Sequence, residues 1–158
     1  MGNILTGSEI VELGIRIEEN GRDFYNRLAG QSKITKVKEV FKFLAGEEEK
    51  HIKVFQGILD KTRQFEPQGL DADEYYAYMK ALAGEHIFTQ KDQGSQAAKI
   101  TRSDKEAIEK AVRFEEDSIV FYEGIKKIVP EYDVKIIQAL IIQEEGHLKQ
   151  LLETKKLL

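Results

Sequence analysis

Two Glu-x-x-His pairs are the residues of this sequence best suited to chemistry, Glu48 with His51 and Glu144 with His147. A glutamate and a histidine three positions apart lie on one face of an α-helix, so each pair can bind one metal ion. The chain contains no cysteine, which excludes disulfides, thiolate catalysis, iron–sulfur clusters and sulfur-ligated zinc sites. Any metal must therefore be bound through nitrogen and oxygen.

The two pairs belong to an internal repeat, in which the first two predicted helices recur as the last two. Glu18 and Tyr25 of the first half correspond to Glu115 and Tyr122 of the second half. Each Glu-x-x-His pair is thus preceded, one helix earlier, by a glutamate that is followed seven residues later by a tyrosine. This match is expected if two copied helical hairpins contribute equal halves of one site.

Helices must position these residues, because apolar residues recur every three or four positions through four long segments. The four predicted helices span residues 6–30, 33–63, 104–129 and 134–155. Ser103 and Glu106 form a capping box at the start of the third helix. With 158 residues, of which 41% are hydrophobic, the chain is expected to fold as one all-α domain over its whole length, a four-helix bundle.

A crossover of about forty residues separates the second and third helices and is long enough to run the length of the bundle. A short extra helix is predicted over residues 72–88. Its aromatic residues would pack on the bundle or on a partner subunit: Tyr75, Tyr76, Tyr78 and Phe88. The polar run Thr89–Arg102 is expected to be an exposed loop.

Glutamates fall inside the inward stripes of all four helices. The stripes are Val11, Gly14, Glu18, Gly21, Tyr25; Val37, Phe41, Leu44, Glu48, His51, Phe55, Ile58; Ile108, Ala111, Glu115, Ser118, Tyr122; and Ile137, Leu140, Glu144, His147, Leu151. An uncompensated buried carboxylate costs on the order of several kcal/mol, so cations are expected beside these four. Two divalent ions would balance the four negative charges and leave the histidines as neutral ligands. The predicted metal ligands are Glu18, Glu48, His51, Glu115, Glu144 and His147.

Two alternative interpretations remain at this point. Rotating the first and third helices by one position would place Ile17 and Phe114 at the centre of the bundle and turn the adjacent glutamates to solvent. The two histidines could instead form a hydrogen-bonded polar layer that fixes the register of the bundle without metal. Tyr25 and Tyr122 also have two possible roles: they are either ordinary core aromatics or hydrogen-bond donors to a ligating glutamate.

The remaining acidic residues near the motifs are expected on solvated faces. They are Glu19, Glu47, Glu49, Glu116, Asp117 and Glu145. His86 lies outside the inward stripes and is expected to be structural or exposed.

The ligand pattern resembles that of the ferritin-like di-iron carboxylate superfamily, and especially its rubrerythrin-type branch. The similarity rests on both Glu-x-x-His pairs and on the Glu and Tyr that precede each, and it spans essentially the whole chain. It implies a ferritin-like bundle with a long crossover between helices two and three. It also implies two iron ions, with manganese or a mixed pair as the next choice, and an oxidoreductase that reduces peroxide or dioxygen at the six ligands.

Two departures from typical rubrerythrins bear on mechanism. Such proteins usually carry a further glutamate three residues after the third-helix ligand, where this chain has Ser118. The redox-linked movement of iron, and with it efficient peroxidase action, would lack that carboxylate. They also carry a cysteine-rich rubredoxin domain that delivers electrons, so this chain would need an external electron donor.

Other function classes remain open beside the oxidoreductase. A ferritin-like iron-oxidising or iron-storing protein, a di-metal hydroxylase acting on an organic substrate, and a metal-free structural bundle are the alternatives. A net charge of -4 argues against nucleic acid as the main partner. Since no apolar run approaches the ~18 residues that span a membrane, the sequence predicts a cytoplasmic protein without membrane association, and family members suggest a homodimer.

Overall fold

The computed structural model describes residues 7–64, 88, 90–127 and 131–158. Its helices are α1 (Gly7–Gln31), α2 (Thr35–Gln64), α3 (Gln93–Lys99), α4 (Asp104–Ile125) and α5 (Glu131–Lys155). Within these ranges no strand occurs. The four long helices confirm the predicted all-α bundle, in which α1 packs on α2, and α4 packs on α5.

The ends of the helices differ from the prediction most on either side of residues 128–130. α4 ends at Ile125, before the predicted residue 129, and α5 begins at Glu131, before the predicted residue 134. Two carboxylates in the first turn of α5, Glu131 and Asp133, favour this early start through the helix dipole. At the start of α4 the Ser103 hydroxyl accepts from the Glu106 backbone N–H at 3.1 Å, as the capping box predicts.

The core lies along the inward stripes, and every residue that the sequence assigned to a stripe is buried. Glu18 and Glu115 are fully buried, and so are their neighbours Ile17 and Phe114. The rotated alternative is therefore wrong, because α1 and α4 bury a face wide enough to hold both residues of each pair. Among the described helices, none is long and apolar enough to cross a membrane.

The polar run predicted as an exposed loop contains α3, so that prediction is wrong. α3 packs on α1 and buries Gly94 and Ala98. The Asn20 side chain donates to the carbonyl of Phe88 at 2.9 Å and to that of Gln90 at 2.8 Å, and accepts from the Gly94 N–H at 3.0 Å. A methyl group at Gly94 would overlap the Asn20 backbone carbonyl. Only glycine allows the two helices to approach this closely.

Phe88 packs on the bundle as predicted. Its ring is buried and lies 5.2 Å from the ring of Phe24 and 4.9 Å from the ring of Phe114, measured between centroids. The rest of the predicted crossover helix, including its three tyrosines, lies outside the described residues, and so does His86. The described part of the crossover is thus held on α1 by Asn20 and by an aromatic contact.

Candidate metal centre

All six predicted ligands meet at one level of the bundle. The four glutamates are fully buried, His51 is 1% exposed and His147 is 4% exposed. Their ligand atoms form two groups, within each of which all atoms lie within 4.8 Å of one another. The groups are Glu18, Glu48, His51 and Glu144; and Glu48, Glu115, Glu144 and His147.

The carboxylates of Glu48 and Glu144 belong to both groups. Glu18 lies only in the group of His51, and Glu115 only in the group of His147. The internal repeat exchanges the two groups, so the site has approximate two-fold symmetry. Sequence alone leaves open which glutamates could bridge two ions, and the geometry favours the pair shared by both groups. We call the two groups the His51 position and the His147 position.

Both histidines turn Nδ1 toward the carboxylates. His51 Nδ1 lies 2.8 Å from Glu144 Oε1 and 3.4 Å from Glu18 Oε2. His147 Nδ1 lies 3.4 Å from Glu144 Oε2 and 3.8 Å from Glu115 Oε1. Glu144 therefore stands between the two rings, whose centroids are 5.9 Å apart. In each position Nδ1 is the nitrogen available to a metal ion.

Tyr25 and Tyr122 donate hydrogen bonds across the bundle to the glutamates that are not shared. Tyr25 on α1 donates to Glu115 Oε1 on α4 at 2.6 Å, and Tyr122 on α4 donates to Glu18 Oε1 on α1. Burial, together with the charges of Glu115 and Glu48, raises the pKa of Tyr25 well above its ordinary value. Its hydroxyl therefore stays protonated and keeps one oxygen of Glu115 fixed.

Unpartnered polar atoms concentrate at this site. Of the nine buried side-chain nitrogen and oxygen atoms that lack a hydrogen-bond partner within the described ranges, eight belong to the six ligands. They include Nδ1 of both histidines and both oxygens of each shared glutamate. Buried polar groups are normally satisfied, and a cluster of lone pairs facing one space is the environment that a cation needs. Carboxylate and imidazole donors in this number fit two divalent ions.

Burial and mutual repulsion oppose ionisation of three of the carboxyl groups. Burial first, and then the negative charge of Glu144, raise the pKa of Glu18, Glu48 and Glu115 well above the ordinary value. Without metal, burial and repulsion therefore favour the protonated form of these groups. Metal ions would have to displace those protons, which couples metal binding to pH.

The charge that remains in the metal-free site is an ion pair. Burial works against charge on both members, but contacts outweigh it. Close contacts with Glu115, His147 and His51, whose Nδ1 lies 2.8 Å from Glu144 Oε1, bring the pKa of Glu144 below its usual range. Burial lowers the pKa of His51, yet the contact and charge of Glu144, with Glu48, raise it to about 9. In the metal-free site, protons thus offset the negative charge of the carboxylates, as bound metal ions would when present.

Two further residues of the site were missed in the sequence analysis, Glu47 and Gln143. His51 Nε2 lies 2.8 Å from Gln143 Oε1, so the ring can donate to that amide. Glu47 was predicted on a solvated face, but its side chain is 18% exposed and its Oε1 lies 3.9 Å from His147 Nε2. The repeat holds the signal that could have revealed both, because each immediately precedes the glutamate of a Glu-x-x-His pair.

The other acidic neighbours divide into two sets. Glu19, Glu116 and Glu145 are exposed as predicted. Glu49 and Asp117 are half-buried instead. Glu49 accepts a hydrogen bond from Arg22 at 2.9 Å, which draws its carboxylate onto the surface of α1.

Ser118 occupies the position where a further glutamate would stand in the related pattern. It is fully buried, and its hydroxyl donates to the carbonyl of Phe114 at 2.8 Å within α4. The equivalent residue of the first hairpin is Gly21, where a side chain would collide with the ring of Phe114. Neither position supplies a further carboxylate to the site.

Comparison with known proteins identifies the pattern. The model of the family named Rubrerythrin matches residues 9–155. A crystal structure from Thermotoga maritima, of a protein provisionally assigned as ferritin-like diiron-carboxylate, is 28% identical, with a TM-score of 0.71. The alignment covers 99% of this chain and 98% of that one. Among curated proteins, none matches the chain.

Proposed function

Because this chain belongs to the rubrerythrin family, we propose that it binds two iron ions at the six buried ligands and reduces peroxide or dioxygen there. The observation that carries the proposal is the cluster of eight unpartnered lone-pair atoms on four glutamates and two histidines. A polar layer built only to fix the register would satisfy its own hydrogen bonds, since unpaired buried groups are costly.

Iron is proposed over other metals on the chemistry of the ligands. Mixed carboxylate and imidazole donors without sulfur suit iron or manganese, and the family favours iron. A pair of ferrous ions supplies the two electrons that convert hydrogen peroxide and two protons into two water molecules. An external donor must then return those electrons, because the chain has no cysteine with which to hold an iron–sulfur relay.

The protein's own residues prepare the site for this reaction. Tyr25 and Tyr122 fix one oxygen of each unshared glutamate, which leaves the second oxygen free to bind. The aromatic rings of Phe41, Phe55 and Phe114 are fully buried along the same helices and exclude water from the bundle interior. Low local polarity strengthens each ligand's attraction for a cation.

Ser118 limits how the site can respond to a change in charge. With its hydroxyl engaged by Phe114, it offers no alternative carboxylate for an oxidised ion. We therefore propose a site with a fixed ligand set and a slower reaction with peroxide than a seven-ligand site would show. The proposal extends to an external electron donor, a cytoplasmic location and a homodimer.

The proposal is tested with metal-free protein that is reconstituted anaerobically with ferrous iron. Iron content should reach about two ions per chain, and the absorption spectrum should change rapidly when peroxide is added and more slowly in air. The double variant His51→Ala, His147→Ala should retain its helical circular dichroism and lose the iron. Glu19→Ala with Glu116→Ala, a repeat-matched exposed pair, is the control and should bind iron normally.

Several outcomes would contradict the proposal or narrow it. Folded protein that takes up no iron, or an iron content unchanged in the double histidine variant, would mean that the cluster is not the metal site. Uptake of many irons per chain into a large assembly would favour storage. Oxidation by air that is faster than oxidation by peroxide would favour dioxygen over peroxide as the substrate.

A further inference from the structure

The two metal positions have different supports behind their histidines. By the repeat, Gln143 corresponds to Glu47, since each directly precedes the glutamate of its Glu-x-x-His pair. Each reaches across to the histidine of the other hairpin: Gln143 toward His51 Nε2 at 2.8 Å and Glu47 toward His147 Nε2 at 3.9 Å. The six ligands are matched pair by pair, but this supporting pair consists of an amide and a carboxylate.

The difference matters because a histidine can bind metal through Nδ1 only when its proton is on Nε2. A carboxylate only accepts hydrogen bonds, so Glu47 can stabilise only a His147 ring that is protonated on Nε2. An amide carries both an acceptor and a donor, and half a turn of Gln143 would present its NH2 group to His51. That arrangement favours the proton on Nδ1, where the metal ion must bind.

Charge also favours metal binding at the His147 position. Glu47 places a fifth carboxylate beside the His147 position, and its side chain is only 18% exposed. Lys50 holds its other oxygen at 3.1 Å, but the lysine is 75% exposed and its charge is largely screened. Gln143 brings no charge to the His51 position and is itself exposed, so water competes for its amide.

The two histidines also differ in aromatic packing, because only His147 has a neighbouring aromatic ring at this place in the repeat. The ring of Phe43 lies edge-on to His147, at 6.2 Å between centroids and 89° between planes. The equivalent residue of the second hairpin is Ala139, which offers no ring to His51. Two distances favour the His51 position instead: the 3.9 Å gap between Glu47 and His147 Nε2, and the longer contacts of His147 Nδ1 with the carboxylates. A water molecule or a small rotation of Glu47 can close the gap when a bound ion makes Nε2 a stronger donor.

We infer that Glu47 and Gln143 are positioning residues of unequal strength, so that the His147 position binds its metal ion more tightly and fills first. This inference rests on the proposed di-metal site and assigns an order to its two halves. Partners of this kind typically change metal affinity by about 10- to 100-fold. The two ions of the pair are therefore distinguishable, although the ligands themselves are nearly symmetric.

The experiment is a titration of the metal-free full chain with Co2+, followed by calorimetry and visible absorption. The wild type should show two binding steps whose dissociation constants differ by about tenfold or more. His147→Ala should remove the tight step, and His51→Ala should remove the weak one. Glu47→Gln should weaken the first step toward the second, and Gln143→Glu should strengthen the second toward the first.

Glu145→Gln is the matched control, because it removes the same charge at an exposed position beside Glu144. It should leave both steps in place. The imidazole 15N chemical shifts of the metal-free protein give a readout that a general loosening of the bundle would not produce. Glu47→Gln should move those of His147 alone, and Gln143→Glu those of His51 alone.

Two equal steps that Glu47→Gln leaves unchanged would overturn the inference and leave the di-metal site intact. Loss of the tight step in His51→Ala instead of His147→Ala would do the same. Folded wild-type protein that binds no Co2+ at all would overturn both the inference and the proposed function, and is distinguishable from the first two results.

Discussion

The hairpin of α1 and α2 and the hairpin of α4 and α5 are alike inside and different outside. Facing the bundle axis, each presents a glutamate, a tyrosine and a Glu-x-x-His pair in the same places. On the outer side Asn20 of α1 holds the backbone of the crossover through three hydrogen bonds. The equivalent residue of α4 is Asp117, which has no free amide group to donate.

This contrast shows which positions of a repeated hairpin are free to differ. A change at one ligand would leave buried charges on the other hairpin without compensation, at a cost of several kcal/mol, on the order expected for a broken buried pair. A change on the outer face alters only what can dock there. The ligands are therefore matched between the hairpins, while the outer surface of the first hairpin alone contacts the crossover and α3.

The largest expected effect separates the shared glutamates from the unshared ones. Glu144→Ala or Glu48→Ala should abolish binding of both ions, since each carboxylate belongs to both positions. Glu18→Ala or Glu115→Ala should leave about one ion per chain. Metal analysis after desalting measures the difference, and circular dichroism checks the fold. Retention of one ion in Glu144→Ala would show that the carboxylate does not serve both hairpins.

The second effect is a dependence of stability on pH in the metal-free protein. The pKa of His51 is raised from 6.5 to about 9 on folding. Its contribution is therefore complete below pH 6.5 and is lost as the pH rises through about 9. The raised pKa values of Glu18, Glu48 and Glu115 act in the same sense, since they also lower the stability of the metal-free protein as the pH rises.

Urea unfolding in the presence of a chelator should show that the free energy of unfolding falls by on the order of 3 kcal/mol between pH 6.5 and 9 from His51 alone. His51→Gln should flatten the profile, and saturating metal should remove the decline because ions replace the protons. A free energy of unfolding that rises between pH 6.5 and 9 in the metal-free wild type would contradict the ion pair with Glu144.

The third effect tests the outer difference between the hairpins. Gly94→Ala should destabilise the protein by about 2 kcal/mol, because the methyl group would overlap the Asn20 carbonyl and push α3 off α1. Gly46→Ala on the open face of α2 is the control, where nothing lies within 4 Å of the added carbon. It should stabilise the protein by about 0.5 to 1 kcal/mol in urea unfolding. Equal effects of the two substitutions would mean that α3 is not closely docked.

The smallest expected effect concerns the tyrosines. Tyr25→Phe and Tyr122→Phe each remove one hydrogen bond to a buried carboxyl group. Each should cost about 1 to 2 kcal/mol in the free energy of unfolding of the metal-free protein. The two costs should agree closely, since the repeat gives both hydroxyls the same role. A much larger cost for one of them would show that the inner surfaces are less alike than the ligand positions suggest.

Helical periodicity predicted most of the bundle and all six candidate ligands, because an inward glutamate interrupts an apolar stripe and can be recognised from the sequence alone. α3 could not be found this way. It is seven residues long, carries only alanines as apolar residues, and is held by a polar residue on another helix. Glu47 and Gln143 were missed for a related reason, since their role depends on which residue of the opposite hairpin they face.

The crossed hydrogen bonds of Tyr25 and Tyr122 have a thermodynamic consequence. Each tyrosine orients a glutamate of the other hairpin, so neither hairpin alone carries a complete set of oriented ligands. The free energy by which hairpin association improves ion binding must equal the free energy by which ion binding improves association. Anything that loosens the hairpins, at any distance from the site, should therefore weaken metal binding, and each bound ion would in turn hold the two hairpins together.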